Sequence, residues 1–133
     1  MAAKYLLGID IGSSSIKTAL LDVATGSPVA STFSPSYEME MVSTQPGFAE
    51  QDPELWWKEC INALNLLRKE VSFKGDDIAA IGISYQMHGL VCLDKNLKPL
   101  RNSIIWCDSR AVEIGNKAFK ELGEEFCLKN LLN

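Results

Sequence analysis

The segment GIDIGSSSIK, residues 8–17, places a turn of small residues between two short apolar runs. Residues 4–10 and residues 16–22 have the length and apolar content of β-strands. After a second turn at residues 25–27, residues 28–33 have the composition of a third strand. Because two short turns join the three strands in succession, the sequence predicts an antiparallel meander.

A long helix is predicted to follow an extended segment. Residues 34–51 lack a helical period and carry Pro-Gly at 46–47, which predicts a turn there. Asp52-Pro53-Glu54 is typical of a helix start, with an N-cap acceptor, a proline at the first position and an acid in the first turn. The predicted buried stripe is Trp56, Cys60, Ala63, Leu64, Leu67 and Val71, and the predicted solvent side is Lys58, Glu59, Asn62, Asn65, Arg68 and Lys69.

The second half of the chain predicts more strands and a second helix. Residues 78–84 form an apolar run, predicted to be a buried strand parallel to the first because a helix connects the two. Short strands are predicted at 90–93 and 103–106, with a turn at 94–96. Asp108 or Ser109 is predicted to cap a helix that ends before Gly123, and residues 124–132 begin another amphipathic segment. The predicted inward side chains are Ala111, Ile114, Ala118, Phe119 and Leu122.

Composition excludes several classes of protein. Among 133 residues, 17 are acidic and 13 basic, and no run of Lys or Arg offers a surface for nucleic acid or an anionic membrane. No apolar run approaches the roughly 18 residues that span a bilayer. Four scattered cysteines and one histidine do not form a zinc motif. Since no secretory signal is recognisable, the thiols predict a reduced, cytoplasmic protein.

The turn at residues 12–15 carries the clearest chemistry. Gly12 lets backbone N–H groups approach an anion, and Ser13, Ser14 and Lys17 add donors. Asp10 would repel a phosphate about 4 Å away by roughly 4 kcal/mol at an effective dielectric near 20. A Mg²⁺ between them removes this conflict, so the turn favours a site for a magnesium nucleotide. The residues fit an ordinary Gly/Ser hairpin turn equally well, with Asp10 making local hydrogen bonds.

Two further polar clusters follow predicted strands. Residues 84–89, SYQMHG, lie at a strand end, where ligands of α/β sheets usually bind, and Gln86 and His88 could donate to hydroxyl groups. The alternative is a hairpin connection with an exposed His88. Further along, Trp106 offers a platform for the apolar face of a sugar and Asp108 an acceptor for its hydroxyls. The alternative there is a core Trp106 and an N-capping Asp108.

Taken in order, these segments resemble the amino-terminal part of the FGGY carbohydrate kinases, within the actin-like and hexokinase-like ATPase superfamily. Asp10-x-Gly12-Ser13-x-x-x-Lys17 is similar to the superfamily's first phosphate motif. Residues 46–57, PGFAEQDPELWW, resemble the segment before the family's first long helix, and residues 104–110, IIWCDSR, resemble its next sugar-side motif. Residues 82–91, GISYQMHGLV, look most like the loop of those members that phosphorylate D-xylulose.

The resemblance implies an α/β, RNase H-like fold with a mixed five-stranded sheet and helices on both faces. Two such domains would close over a cleft. Residues 1–133 would form the amino-terminal part of the first domain, which is incomplete in this chain, and the second domain would lie outside it. The implied cofactors are ATP and Mg²⁺. The implied phosphate and metal residues are Asp10, Gly12, Ser13, Ser14 and Lys17, of which Asp10 is also the implied catalytic residue of this chain. The implied sugar-binding residues are Gln86, Met87, His88, Trp106 and Asp108.

The implied reaction transfers the γ-phosphoryl group of ATP to the terminal hydroxyl of D-xylulose, which gives D-xylulose 5-phosphate. The family's catalytic aspartate, which takes the hydroxyl proton, lies further downstream and has no match here, so these residues alone are expected to be inactive. One alternative is a kinase for another sugar or polyol. Another is a non-catalytic, actin-like binding module, with Leu128, Leu131 and Leu132 docking in an oligomer such as a homodimer.

Overall fold

The computed structural model describes residues 4–131, and its sheet begins with the predicted meander. Strands β1 (Tyr5–Ile11), β2 (Ile16–Asp22) and β3 (Pro28–Ser34) run antiparallel in succession. Asp10 pairs with Lys17 and Ile11 with Ile16, so the turn at residues 12–15 directly caps the β1–β2 hairpin. The strands and the meander predicted from the sequence are confirmed.

The segment after the meander is extended, with the predicted turn at 46–47, and ends in the two-residue strand β4 (Glu50–Gln51). Helix α1 (Pro53–Glu70) then begins at Asp52, whose carboxylate accepts from the Glu54 N–H at 2.9 Å. The helix packs across β2 and β3, and Leu67 meets Leu7 and Leu20 in the core. The predicted N-cap and buried stripe are confirmed.

Glu59 does not lie on the solvent side of α1, and that prediction is wrong. Its side chain is buried and accepts hydrogen bonds from Ser34 Oγ at 2.6 Å and Asn62 Nδ2 at 3.1 Å. The helical pattern cannot reveal this arrangement, because one donor comes from β3. Both donors bind the same carboxylate oxygen, Oε2, and they offset part of the cost of burying this group.

Strand β5 (Ile78–Tyr85) lies parallel to β1 after a 3₁₀ turn at Gly75–Asp77, which gives the mixed order β3-β2-β1-β5. The parallel pairing is confirmed, but the predicted burial is wrong, since Ile81 and Ile83 are each 59% exposed. The reason is position: within residues 4–131, β5 is an edge strand. The described part of the chain holds four strands of this sheet, with α1 packed on one face.

The second half of the chain builds a small two-stranded sheet. Strand β6 (Ser103–Ile104) pairs antiparallel with β4, and it is shorter than the predicted strand at 103–106. The predicted strand at 90–93 is wrong, because Leu90 and Leu93 make only isolated bridges, to Ile104 and Pro99. The predicted turn at 94–96 is confirmed, with Asp94 accepting from the N–H groups of residues 96 and 98.

Helices α2 (Val112–Leu122) and α3 (Glu124–Asn130) complete the described chain. Gly123 ends α2 with a positive φ, as predicted, but Ala111 rather than Asp108 or Ser109 occupies its N-cap position. The predicted inward face of α2 is wrong: among residues 4–131, α2 packs mainly on α3, and only Ala118 of that face is less than about a third exposed.

The leucines near the carboxyl end of the described chain are not covered by another element of it. Leu128 and Leu131 are exposed, and Leu132 lies outside the described residues, so their predicted oligomer contact stays a prediction. Across residues 4–131, none of the helices has the length and apolar character needed to cross a bilayer.

Candidate functional site

The turn at residues 12–15, here called the phosphate turn, has a tight backbone. The Gly12 N–H donates to the Ser15 carbonyl at 3.2 Å. A Cβ on Gly12 would lie 2.9 Å from that same oxygen, closer than real Cβ atoms come to a neighbour. The turn therefore requires glycine at position 12, as expected for a backbone that approaches an anion.

Two contacts fasten the phosphate turn to the extended segment. Gln51 is fully buried, and its Nε2 donates to the Ser13 carbonyl at 2.7 Å. The Met39 N–H donates to the Ser14 carbonyl at 2.9 Å. Sequence reasoning missed Gln51, for which the only available signal was a polar residue directly before the helix cap.

Asp10 and Lys17 stand at the open side of the hairpin. Ser84 Oγ on β5 donates to Asp10 Oδ1 at 2.8 Å, while Lys17 Nζ is 3.5 Å from Oδ2. Glycines 8 and 82 lie beside them along an open cavity of about 550 Å³. The half-exposed carboxylate thus has one oxygen fixed by a neutral donor and the other in a weak, exposed ion pair.

The loop at residues 86–89 starts beside the phosphate turn. The Gln86 N–H donates to the Ile11 carbonyl at 2.9 Å, which extends the β1–β5 ladder to the end of β1. The Gln86 side-chain amide is buried, and neither of its polar atoms has a partner within residues 4–131. A buried amide without partners is rare in folded proteins, so either a group outside residues 4–131 or a shift of this loop is needed to satisfy it. Met87 and His88 are exposed, and His88 adopts a positive φ.

Trp106 joins the polar cluster at residues 106–108 to the phosphate turn. Its indole Nε1 donates to Ser13 Oγ at 3.3 Å, although 93 residues separate the two. The side chain is 57% exposed, so the alternative of a core tryptophan is wrong within the described residues. The predicted sugar platform and the phosphate turn are therefore neighbours.

Asp108 has a different setting from the one predicted. Its side chain is only 2% exposed, and it accepts from Arg110 Nε at 2.9 Å and from the Ala49 N–H at 2.7 Å. The Arg110 hydrogen bonds hold the pKa of Asp108 well below its usual range. Arg110 also bonds Glu50 at 2.6 Å and lies 3.8 Å from the Phe48 ring centroid. A sugar hydroxyl would have to compete with Arg110 for this carboxylate.

The described residues hold no cluster of three His, Cys, Asp or Glu side chains that could cage a metal ion. A single carboxylate such as Asp10, completed by waters and phosphate oxygens, is how Mg²⁺ is usually bound beside nucleotides. Asp10, which lies on β1 beside the phosphate turn, therefore fits Mg²⁺ better than zinc.

The mixed sheet, with its antiparallel meander and parallel β5, has the topology of the actin- and hexokinase-like ATPase fold. Residues 5–132 match the family model described as the FGGY family of carbohydrate kinases, N-terminal domain. The chain belongs to the FGGY family of carbohydrate kinases.

Curated relatives carry sugar-kinase names. The xylulose kinase of Bacillus subtilis (strain 168) is 40% identical over 107 residues, which are 80% of this chain and 21% of that protein. The L-xylulose/3-keto-L-gulonate kinase of Escherichia coli (strain K12) is 40% identical over 111 residues, 84% of this chain and 22% of that protein. The chain thus spans about a fifth of the length of these relatives.

Solved structures of similar fold include two from Lactobacillus acidophilus. The ligand-bound xylulose kinase has a TM-score of 0.80 and 32% identity, over 95% of this chain and 24% of that one. The gluconate kinase has a TM-score of 0.81 and 31% identity, over 96% of this chain and 25% of that one.

Proposed function

We propose that the complete protein transfers the γ-phosphoryl group of ATP to the terminal hydroxyl of D-xylulose, giving D-xylulose 5-phosphate. Residues 1–133 would form the amino-terminal part of its first domain. The observation that carries the proposal is the hydrogen bond from Trp106 Nε1 to Ser13 Oγ, which joins the predicted sugar side to the predicted phosphate side. Similarity to xylulose kinases supports the choice of sugar.

In this proposal the phosphate turn binds the nucleotide. Gly12 allows close approach of the backbone, and the Ser13 and Ser14 hydroxyls with Lys17 donate to phosphate oxygens. Asp10 would hold Mg²⁺, and its exposed Oδ2 is available for this. The bound ion would supply charge neutralisation between the phosphates.

The sugar would lie against the opposite side of the site. Trp106 presents an exposed indole face to the apolar side of the ring or chain. The exposed Met87 and His88 would border the sugar. The Gln86 amide is buried without partners, so it would bond sugar hydroxyls only after the loop at residues 86–89 shifts to uncover it. Asp108 would hold the loop that carries Trp106 through its ion pair with Arg110, and a sugar hydroxyl would bind Asp108 by displacing Arg110.

A substrate panel on the complete protein tests the proposal. With Mg-ATP, we expect kcat/KM to be highest for D-xylulose among D-xylulose, L-xylulose, gluconate and glycerol. A clear preference for another compound would overturn the choice of sugar. The Escherichia coli relative, named an L-xylulose/3-keto-L-gulonate kinase, makes another ketose the second candidate. Ligand binding without any turnover would instead indicate a non-catalytic module.

Two variants separate the halves of the site. Asp10→Asn keeps an acceptor for Ser84 but removes the charge that would hold Mg²⁺, so we expect turnover to fall by at least about a hundredfold while D-xylulose still binds. His88→Ala should raise the KM for the sugar and leave Mg-ATP binding near the wild-type level. Unchanged turnover in the first variant, or loss of nucleotide binding in the second, would contradict the assigned roles.

A further inference from the structure

We propose that Gln51 is a positioning residue, which orients the Ser14 N–H of the phosphate turn towards the nucleotide, beside the Ser15 N–H that Met39 orients. The proposal rests on the function proposed above, in which this turn holds phosphates. Gln51 itself is fully buried and would not touch the nucleotide. Its effect would pass through the backbone of the turn.

The peptide groups of the turn carry the argument. The Ser13 carbonyl is held by Gln51 Nε2 at 2.7 Å, and the Ser14 carbonyl by the Met39 N–H at 2.9 Å. Gln51 Nε2 also lies 3.3 Å from the Glu40 carbonyl oxygen. Because Gln51 and Met39 both belong to the extended segment, the two turn carbonyls face that segment. In a trans peptide the N–H points opposite to the C=O. The N–H groups of residues 14 and 15 therefore point away from that segment.

These two amides are free to bind an anion. Within residues 4–131, neither the Ser14 N–H nor the Ser15 N–H donates to a backbone carbonyl. Successive N–H groups that point the same way form a concave site for phosphate oxygens. Fixing them before binding also lowers the entropy that the turn would otherwise lose on binding.

The orientation of the Gln51 amide is itself determined. Trp56 Nε1 donates to Gln51 Oε1 at 3.1 Å, so Oε1 must be the carbonyl oxygen and Nε2 the donor that faces the turn. Because the amide is inaccessible to water, no solvent molecule can take over its bond to Ser13 if the donor is lost. A Gln51→Glu change would therefore present an acceptor to two carbonyl oxygens.

The test uses the complete protein with Gln51→Glu and the apolar, similarly shaped Gln51→Met. We expect the KM for Mg-ATP to rise about tenfold in both, with the KM for D-xylulose changed less than about twofold. Glu59→Gln is the matched control, since it exchanges a buried acid for an amide and its contacts, Ser34 and Asn62, lie outside the turn. Its two KM values should stay near those of the wild type.

A second measurement needs no variant. Amide hydrogen exchange of residues 13–15 in the wild-type protein should slow by at least about tenfold on addition of Mg-ADP, because the Ser14 and Ser15 N–H groups would then be bonded. This measurement can refute the proposal even if neither Gln51 variant folds, since amides that do not bind the nucleotide need no positioning. Unchanged exchange at these two amides would overturn it.

The failure of this inference can be told apart from failure of the proposed function. If the wild type neither binds Mg-ATP nor phosphorylates a sugar, the proposed function fails and this inference fails with it. If the wild type is active but the Gln51 variants keep a normal KM for Mg-ATP, only the inference fails. An equal rise in both KM values would also overturn it, since general destabilisation predicts that result.

Discussion

Replacing Gly12 by alanine tests whether one close backbone contact sets the shape of the phosphate turn. The new Cβ would lie 2.9 Å from the Ser15 carbonyl oxygen. Carbon–oxygen contacts of this kind are normally about 3.3 Å or longer, so the carbonyl must retreat by about 0.4 Å. The same oxygen accepts the Gly12 N–H at 3.2 Å, and a retreat of this size takes that bond beyond the usual limit.

The expected loss of stability is the sum of three contributions to the free energy of unfolding. Loss of the turn hydrogen bond contributes about 1 kcal/mol, and the forced shift about 1–3 kcal/mol. Alanine also lowers the conformational entropy of the unfolded chain, which stabilises the folded protein by about 0.4–1 kcal/mol. The free energy of unfolding should therefore fall by about 1–3.5 kcal/mol. Because the displaced carbonyl carries neighbouring N–H groups with it, we expect the Kd for Mg-ATP to rise at least about tenfold.

Denaturant unfolding and calorimetric titration with Mg-ATP on the complete protein measure both effects. Gly75→Ala is the matched control, since nothing lies within 4 Å of its added Cβ in the described chain. Gly75 precedes the amino-terminal end of β5, away from the phosphate turn. We expect this control to retain wild-type stability and affinity. If Gly12→Ala behaves like Gly75→Ala in both assays, the contact does not shape the turn and the reasoning is refuted.

Two further predictions concern the loop before α2 and the core. Arg110 keeps the pKa of Asp108 below the ordinary value near 4, so ionised Asp108 stabilises the fold above that pH and this stabilisation is lost as the pH falls further. Asp108→Asn should therefore lower Tm at pH 7 and flatten its decline below about pH 4; a Tm deficit that persists unchanged at pH 2 would contradict this. Burial raises the pKa of the Cys60 thiol, so iodoacetamide at pH 8 should alkylate Cys60 only after unfolding, as peptide mass mapping can show. Rapid labelling in the native protein would be the opposite result.

The elements that the sequence predicts well depend on near neighbours. The turns at 12–15 and 25–27 fix the meander, and Asp52 caps α1 through a bond two residues away. Burial of β5 and α2 was predicted wrongly, because an apolar run does not say which element covers it. Glu59 was misplaced for a related reason, since its partner Ser34 is 25 residues distant.

The candidate site divides in the same way. Asp10, Gly12 and Lys17 could be recognised together because they lie within one hairpin. Gln51 could not, since its contact with Ser13 joins segments 38 residues apart. The ion pair of Asp108 with Arg110 is local. A carboxylate two residues before an arginine is, however, equally consistent with a helix N-cap and with a residue that binds a sugar hydroxyl. The start of α2 at Val112, with Ala111 as its N-cap, and the bond from the Ala49 N–H show that Asp108 does not cap the helix.

Strand β5 also has a consequence for handling the protein. Its outer edge carries unpaired backbone groups within residues 4–131, and its sequence, IAAIGISY, contains neither proline nor a charged residue. Such an edge is a template for strand addition between molecules. A preparation limited to these residues should therefore aggregate through β5 more strongly as its concentration rises, and pairing of that edge by another strand should keep it monodisperse.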